Sequence, residues 1–172
     1  MNKELSSEYN WYAVYTHSRA EKKVLHSLLS KSIESYVPLQ KQLKQWSDRK
    51  KWVEEPAIRS YVFVRISNKE YYDVLNTAGV VRYIYFEKKP AAIPDKQIEI
   101  MKKVVSGNIE HEFIADTFKE GDQVIIQNGI LKGITGELVM QNDAKKILLR
   151  ISHIGYSLLL NVQDVNIIRL SK

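Results

Sequence analysis

The sequence predicts an α+β protein in two parts, a larger α/β domain followed by a small all-β barrel. Three observations carry this. Up to about residue 105, apolar residues switch between strand-type and helix-type spacing. Beyond residue 117 only short β runs remain, separated by Gly, Asn and Asp. The charge balance changes between these stretches: residues 1–106 hold 19 Lys/Arg against 12 Asp/Glu, and residues 107–172 hold 7 against 8. The first part has the electrostatic footprint of a polyanion binder and the second does not.

Composition narrows the field further. At 172 residues the chain can hold one medium domain or two small ones, and its 44% hydrophobic content is that of a folded protein. With no cysteine, disulfides, zinc–thiolate sites and cysteine nucleophiles are excluded. The first ten residues, MNKELSSEYN, are polar and lack a signal-type apolar stretch, and no run approaches a membrane span. A cytoplasmic location is expected.

Taken in order, Trp11–Thr16 is aromatic and β-branched and reads as a strand. Ser18-Arg19-Ala20-Glu21 fits a capping box opening a helix whose apolar face is Val24, Leu25, Leu28, Leu29 and Ile33. Ser35–Leu39 reads as an edge strand, because Pro38 cannot donate to a ladder. Residues 40–55 read as an exposed hairpin or loop with its tip at Ser47-Asp48-Arg49. Ser60–Ile66 is the strongest strand in the chain and is expected to be central. A short helix over Asn68–Asn76 ends by Gly79, Val80–Phe86 is another strand, and Pro94–Val105 is a helix, with Ile98, Met101 and Val105 on one side. Residues 107–117 lose periodicity and read as a linker. The barrel strands are expected at Gln123–Ile126, Gly136–Met140, Lys146–Ile151, Tyr156–Val162 and Val165–Arg169. Gly129, Gly133 and Gly136 are expected at positive-φ turns. The domains are therefore set at 1–106 and 118–172.

Three stretches in this order resemble the NusG family of transcription elongation factors. They are Trp11-Tyr12-Ala13-Val14 with the following helix, Arg59-Ser60-Tyr61-Val62-Phe63-Val64, and a KOW motif formed by Phe118-Lys119-Glu120-Gly121-Asp122-Gln123-Val124 and Gly129–Gly136. Where the family has Pro-Gly or Pro-Asn before the strand tyrosine, this chain has Arg59-Ser60. That departure and the basic hairpin resemble specialised paralogues of the RfaH and capsular-polysaccharide-regulator type. The resemblance implies an N-terminal α/β sandwich with an antiparallel-dominated four-stranded sheet and flanking helices, then a five-stranded SH3-like KOW barrel. It implies a factor that binds the clamp helices of the largest RNA polymerase subunit and nearby non-template DNA, suppressing pausing or termination. The KOW domain would recruit a second protein such as the ribosomal protein NusE or Rho.

Alternation along Tyr61–Val64 puts Tyr61 and Phe63 on one face and Val62 and Val64 on the other. By resemblance, Tyr61 and Phe63 are the first candidates for polymerase binding, with Val81, Ile84 and Phe86 behind them; the alternative for all five is the core. His17, Arg19, Lys22 and Lys23 at the helix start, with Lys69, Tyr71 and Tyr72, are candidates for phosphate and base contacts, the alternative being a solvated basic face. In the hairpin, Lys41, Lys44, Arg49, Lys50 and Lys51 alternate with Trp46 and Trp52, which suits nucleic acid or a polymerase lobe; equally, the tryptophans could pair across the strands. Ile130, Leu131, Ile134 and Ile154 mark the KOW rim that would meet the second protein, or its core.

Catalysis finds no purchase. There is no G-x-S-x-G, P-loop or H-E-x-x-H, and the histidines at 17, 26, 111 and 153 are scattered. Glu54-Glu55 beside a basic run reads as a charge partner, not an acid–base dyad. The expectation is a non-enzyme needing no cofactor or metal. The rival reading is a ribosome- or RNA-associated structural protein using the KOW barrel, which predicts basic residues around the barrel.

Overall fold

A computed structural model describes residues 5–107, 109–117, 121–161 and 166–170. Phe118, Lys119 and Glu120 of the KOW motif, and the strand ends Val162 and Val165, lie outside the described residues. The chain divides into two compact units, Met1–Asp95 and Lys96–Lys172.

The first unit contains β1 (Asn10–Thr16), α1 (Glu21–Ser30), β2 (Glu34–Tyr36), β3 (Leu39–Gln45), β4 (Lys50–Pro56), β5 (Tyr61–Ile66), α2 (Tyr71–Leu75), β6 (Val80–Tyr83), β7 (Tyr85–Phe86), β8 (Lys89–Pro90) and β9 (Ala92–Ile93). Its main sheet runs β2-β5-β1-β6, with β9 also pairing β1, and every pairing is antiparallel. The apolar Ser60–Ile66 run is thus internal to the sheet, as its composition predicts. Tyr12 and Val14 of β1 and Val62, Val64 and Ile66 of β5 point to one face, where Val24 and Leu28 of α1 and Tyr71 and Val74 of α2 complete the core. The opposite face carries Tyr15, Tyr61 and Phe63, as the period of two requires.

Local chemistry sets the ends of these helices. Ser32, at φ 60°, closes α1 in a Schellman motif: Ile33 N–H donates to the Leu28 carbonyl and Ser32 N–H to that of Leu29, while Leu28 and Ile33 share the core. The N-terminus of α1 departs from the expected capping box. Its N-cap is Ala20, whose methyl cannot cap, and Glu21 reaches Ser60 instead. Ahead of α2, Ser67 N–H and Oγ–H both donate to Glu70 Oε2, although Glu70 is itself the N-cap and makes no side-chain cap.

Three strand expectations also shift. Residues 34–39 divide between β2 and β3 around buried Pro38, and 80–86 divide into β6 and β7. Between these last two, Ile84 pairs with Ala13 through its N–H, and β7–β8 turns back over Glu87 and Lys88, both at positive φ. The 40–55 stretch is a regular hairpin, β3–β4, in which Trp52 stands opposite Leu43. The two tryptophans do not face each other across the strands, since Trp46 belongs to the turn and its N–H donates to the Arg49 carbonyl.

The second unit holds most of α3 (Asp95–Ser106), then β10 (His111–Ala115), β11 (Asp122–Ile126), a 3-10 turn at Gly129–Leu131, β12 (Thr135–Gln141), β13 (Ala144–Ile151), β14 (Tyr156–Asn161) and β15 (Ile167–Arg169). Its antiparallel sheet runs β10-β14-β13-β12-β11-β15. The five expected barrel strands are joined by a sixth, β10, from the stretch read as a linker: Phe113 and Ile114 offer both faces apolar residues, and five residue pairs tie β10 to β14. Val124, Ile126, Leu131, Ile134, Ile147, Leu149, Leu158 and Leu160 form the core.

Helix α3, expected in the first domain, goes with this unit. Val104 joins its core, Ile100 packs on it, and the Gln97 amide both donates to Ser152 Oγ and accepts from Ser152 N–H. The buried third position is Val104, not Val105. With the boundary at Asp95, the first unit carries 16 Lys/Arg against 11 Asp/Glu and the second 10 against 9, so the charge asymmetry is milder than the sequence division suggests.

Gly129 and Gly133 adopt the expected positive φ, at 69° and 83°. Gly136 does not. It lies inside β12, where a Cβ would sit 2.6 Å from Leu149 Cδ2, 2.7 Å from Ile147 Cγ2 and 3.0 Å from the Leu148 carbonyl oxygen. Space, not φ, requires glycine there.

Candidate functional site

Two features of the first unit meet at the turn before β5. On the sheet face away from α1 and α2, the antiparallel register sets Tyr15 opposite both Tyr61 and Arg82. The Tyr15 and Tyr61 rings meet edge to face, 5.7 Å apart at 88°, an arrangement favoured by the ring quadrupoles. The Arg82 guanidinium lies 5.6 Å from the Tyr15 centroid, in cation–π range. One strand over, Tyr36 stands against Phe63 at 6.4 Å, and burial pushes the Tyr36 phenol up to about 12.

Of the five residues expected at a polymerase-binding surface, Tyr61 is half-buried in this aromatic strip. Phe63 and Ile84 are buried and support the sheet from within. Val81 and Phe86 are exposed, but Phe86 lies in the separate β7–β8 hairpin and it is Arg82, not Val81, that faces Tyr15. Tyr15, Arg82 and Tyr36 are additions. Alternation in WYAVYT and VVRYIYF carries part of that signal, but the register that joins them is long-range.

On the other side of the same turn is a cleft of 630 Å³ lined by Ser18, Arg19, Glu21, Lys22, Lys44, Glu54, Glu55, Pro56 and Arg59. It unites two basic groups that are separate in sequence, the helix start and the hairpin. The Lys22 ammonium donates to the Glu54 carbonyl, and the Lys44 ammonium pairs with the Glu55 carboxylate, whose pKa the hydrogen bond lowers. The first contact ties the hairpin base to α1, and the second bridges the two hairpin strands. Arg19 and Arg59 make no hydrogen bond or ion pair among the described residues, although the Arg59 charge helps to lower Glu55, so they are the cleft's least committed cations. Arg59 is a further addition to the sequence reading.

The other nucleic-acid candidates scatter. His17 and Lys23 are exposed near the cleft's helix, and Arg49 and Lys50 lie at the hairpin tip, where Arg49 reaches Asp48 at 3.8 Å. Tyr71 is a correction. It is core, stacked on Tyr83 at 4.5 Å, with its hydroxyl 2.9 Å from that of Tyr85; desolvation raises its pKa. Tyr72 beside it is 68% exposed and Lys69 is exposed, so only these two of the three offer themselves to a ligand. Their surroundings include Glu70, held down to about 2 by hydrogen bonds from Tyr9 and Ser67, and Asp73, in a mixed-charge cleft with Lys31, Glu34 and Arg65.

In the second unit Ile130 is 53% exposed, while Leu131, Ile134 and Ile154 are core. One wall is held by Arg150. Its guanidinium grips Glu137 at both oxygens (2.7 and 3.0 Å) and also pairs with Asp116, while Gly121 N–H donates to Glu137 at 3.2 Å. The guanidinium keeps Glu137 below the usual carboxylate range, and the two carboxylates raise Arg150. Among the described residues no His/Cys/Asp/Glu group could hold a metal, and no helix is long and apolar enough to cross a membrane.

The family model for transcription termination factor nusG matches residues 9–102. Among solved structures, NusG of Thermotoga maritima superposes with a TM-score of 0.50 at 21% identity, covering 92% of this chain and 97% of that one, which is a likeness of fold. An MjSpt4:Spt5 complex aligns at 15% identity over 94% of this chain and 99% of that chain, with a TM-score of 0.34 that supports no further comparison. No curated protein sequence matches.

Proposed function

Since this chain belongs to the NusG family of transcription factors, we propose that its first unit docks on RNA polymerase and on the DNA of the transcription bubble through the two sides of one turn, Arg59-Ser60-Tyr61. The carrying observation is that juxtaposition. The Tyr15–Tyr61–Arg82 strip offers ring edges and a cation to the clamp helices of the largest subunit. The adjoining cleft offers Arg19 and Arg59 to phosphates of the non-template strand. No bond is made or broken. A factor that binds the closed, processive polymerase more tightly than the paused one shifts that equilibrium and opposes pausing or termination.

The second unit, with 10 cationic against 9 anionic residues, lacks the charge excess of a structured-RNA binder. Exposed Ile130 suits a protein partner such as NusE or Rho, presented at high effective concentration by the shared chain. Arg59-Ser60, in place of the family's Pro-Gly, favours an operon-specific member acting in the cytoplasm.

Capture of RNA polymerase by the full chain tests the reading. Tyr15→Ala/Tyr61→Ala should reduce capture at least tenfold, and equal recovery would sink the docking surface. Arg19→Gln/Arg59→Gln should leave capture intact and weaken crosslinking to the non-template strand, with a shallower dependence on salt.

A further inference from the structure

The turn that joins the two surfaces is built on an unfavourable residue. Ser60 sits at φ 63°, a left-handed conformation that is strained for a non-glycine residue. It needs an external hold, and both its backbone groups are held. Its carbonyl accepts from Thr16 N–H at 2.9 Å, and its N–H donates to Glu21 Oε1 at 2.7 Å.

Glu21 is an unusual acceptor for that hold. A carboxylate in the first helical turn ordinarily faces water and serves the helix's own free N–H groups. Here it is 4% exposed, Ala20 at the N-cap offers no side-chain cap, and the carboxylate reaches 39 residues along the chain instead. Burying a carboxylate is costly unless its hydrogen bonds repay it, and a charge-assisted bond to a backbone N–H is among the stronger ones. The residue after Ser60 is Tyr61, where β5 begins and where the Tyr15 ring is met.

We propose that Glu21 is a positioning residue for the docking face: by holding the Ser60 N–H it keeps Ser60 left-handed and thereby sets the direction in which Tyr61 enters the sheet. The inference rests on the reading that the Tyr61 face docks polymerase. Glu21 touches no partner itself. It would be absorbed into the rim of the cleft as one more acidic residue if only charge were counted.

Four variants of the full chain test it: Glu21→Asp, Glu21→Gln, Ser60→Gly, and Glu21→Asp combined with Ser60→Gly. Aspartate keeps the charge at the helix start but is one methylene too short to reach Ser60, whereas glutamine keeps the reach and an acceptor. Glycine adopts positive φ without strain and makes the hold dispensable. Two readouts apply, the Tyr15–Tyr61 aromatic cross-peaks by NMR and the affinity for RNA polymerase. Glu21→Asp should lose the cross-peaks and weaken polymerase binding about tenfold. Glu21→Gln should stay within about threefold of the natural chain, and the combined variant should recover both readouts. If Glu21→Asp behaves like the natural chain, or if its defect persists undiminished with Ser60→Gly, Glu21 serves only its own helix and the proposal is overturned. Tyr61→Ala, measured alongside, separates the two readings. If it binds polymerase as tightly as the natural chain, the docking reading falls, and the cross-peaks alone decide the role of Glu21.

Discussion

Replacing Arg150 by methionine removes one guanidinium and leaves Glu137 and Asp116 facing each other's charge. Glu137 is 9% exposed and, among the described residues, keeps only the Gly121 N–H at 3.2 Å. Breaking a buried pair costs about 3–5 kcal/mol. Here the Arg150 side chain is 32% exposed and that of Asp116 22%, so water screens part of the loss and about 2–3 kcal/mol is expected. All three tryptophans lie in the first unit, which makes fluorescence blind to this change. Hydrogen exchange resolved by peptide is the suitable assay. Amides of β12–β14 should exchange about 30- to 150-fold faster, the ratio those energies imply, while β1 and β5 stay unchanged.

The pH dependence has a definite sign. The folded pKa of Glu137 lies below its ordinary 4.5, so its stabilisation is present above that value and is lost as the pH falls through the folded one. The penalty of Arg150→Met should therefore shrink on acidification below about pH 4.5. Protection in β12–β14 within twofold of the natural chain at pH 7 would refute the reasoning, since the network would then be a surface ornament with no hold on the sheet.

Two other outcomes are expected. Gly136→Ala should destabilise the second unit by about 1–3 kcal/mol, because the Leu149 and Ile147 methyls can give way but the Leu148 carbonyl cannot; a urea titration followed by NMR reads this, and Gly129→Ala, which meets no atom within 4 Å, separates crowding from φ strain. In the first unit, Glu70 is ordinarily near 4.5 and is held at about 2, so urea midpoints by tryptophan fluorescence should fall as the pH drops from about 4.5 towards 2. Glu70→Gln should be flat across that window, and an identical fall in both proteins would place the acid sensitivity elsewhere.

Much of the site was legible residue by residue. Alternation alone separated Tyr61 from Val62, and the basic groups at Arg19–Lys23 and in the hairpin stood out as charge against aromatic. What escaped was which members of each set meet. Tyr71 and Tyr72 are adjacent and chemically alike, yet one is stacked on Tyr83 and the other is open to water. No local pattern distinguishes them, because the choice depends on where β6 and β7 bring Tyr83 and Tyr85. Ile134 and Ile154 likewise read as rim residues until the surrounding strands enclose them. Arg59 stood out only as a departure before the strand tyrosine, because its role as a cation comes from lining the cleft with Arg19.

By itself the sequence determined the order and type of the longer elements, β9 and β10 excepted, and the faces of β5. All of these follow from spacing within a few residues, where backbone geometry repeats every 2 or 3.6 positions. Only the tertiary structure decided that α3 serves the second unit, that Gly136 answers to crowding instead of φ, and that Glu21 leaves its own helix for Ser60. Each of those depends on contacts between residues far apart in the chain, whose free energy is set by packing and burial that no short window of sequence contains.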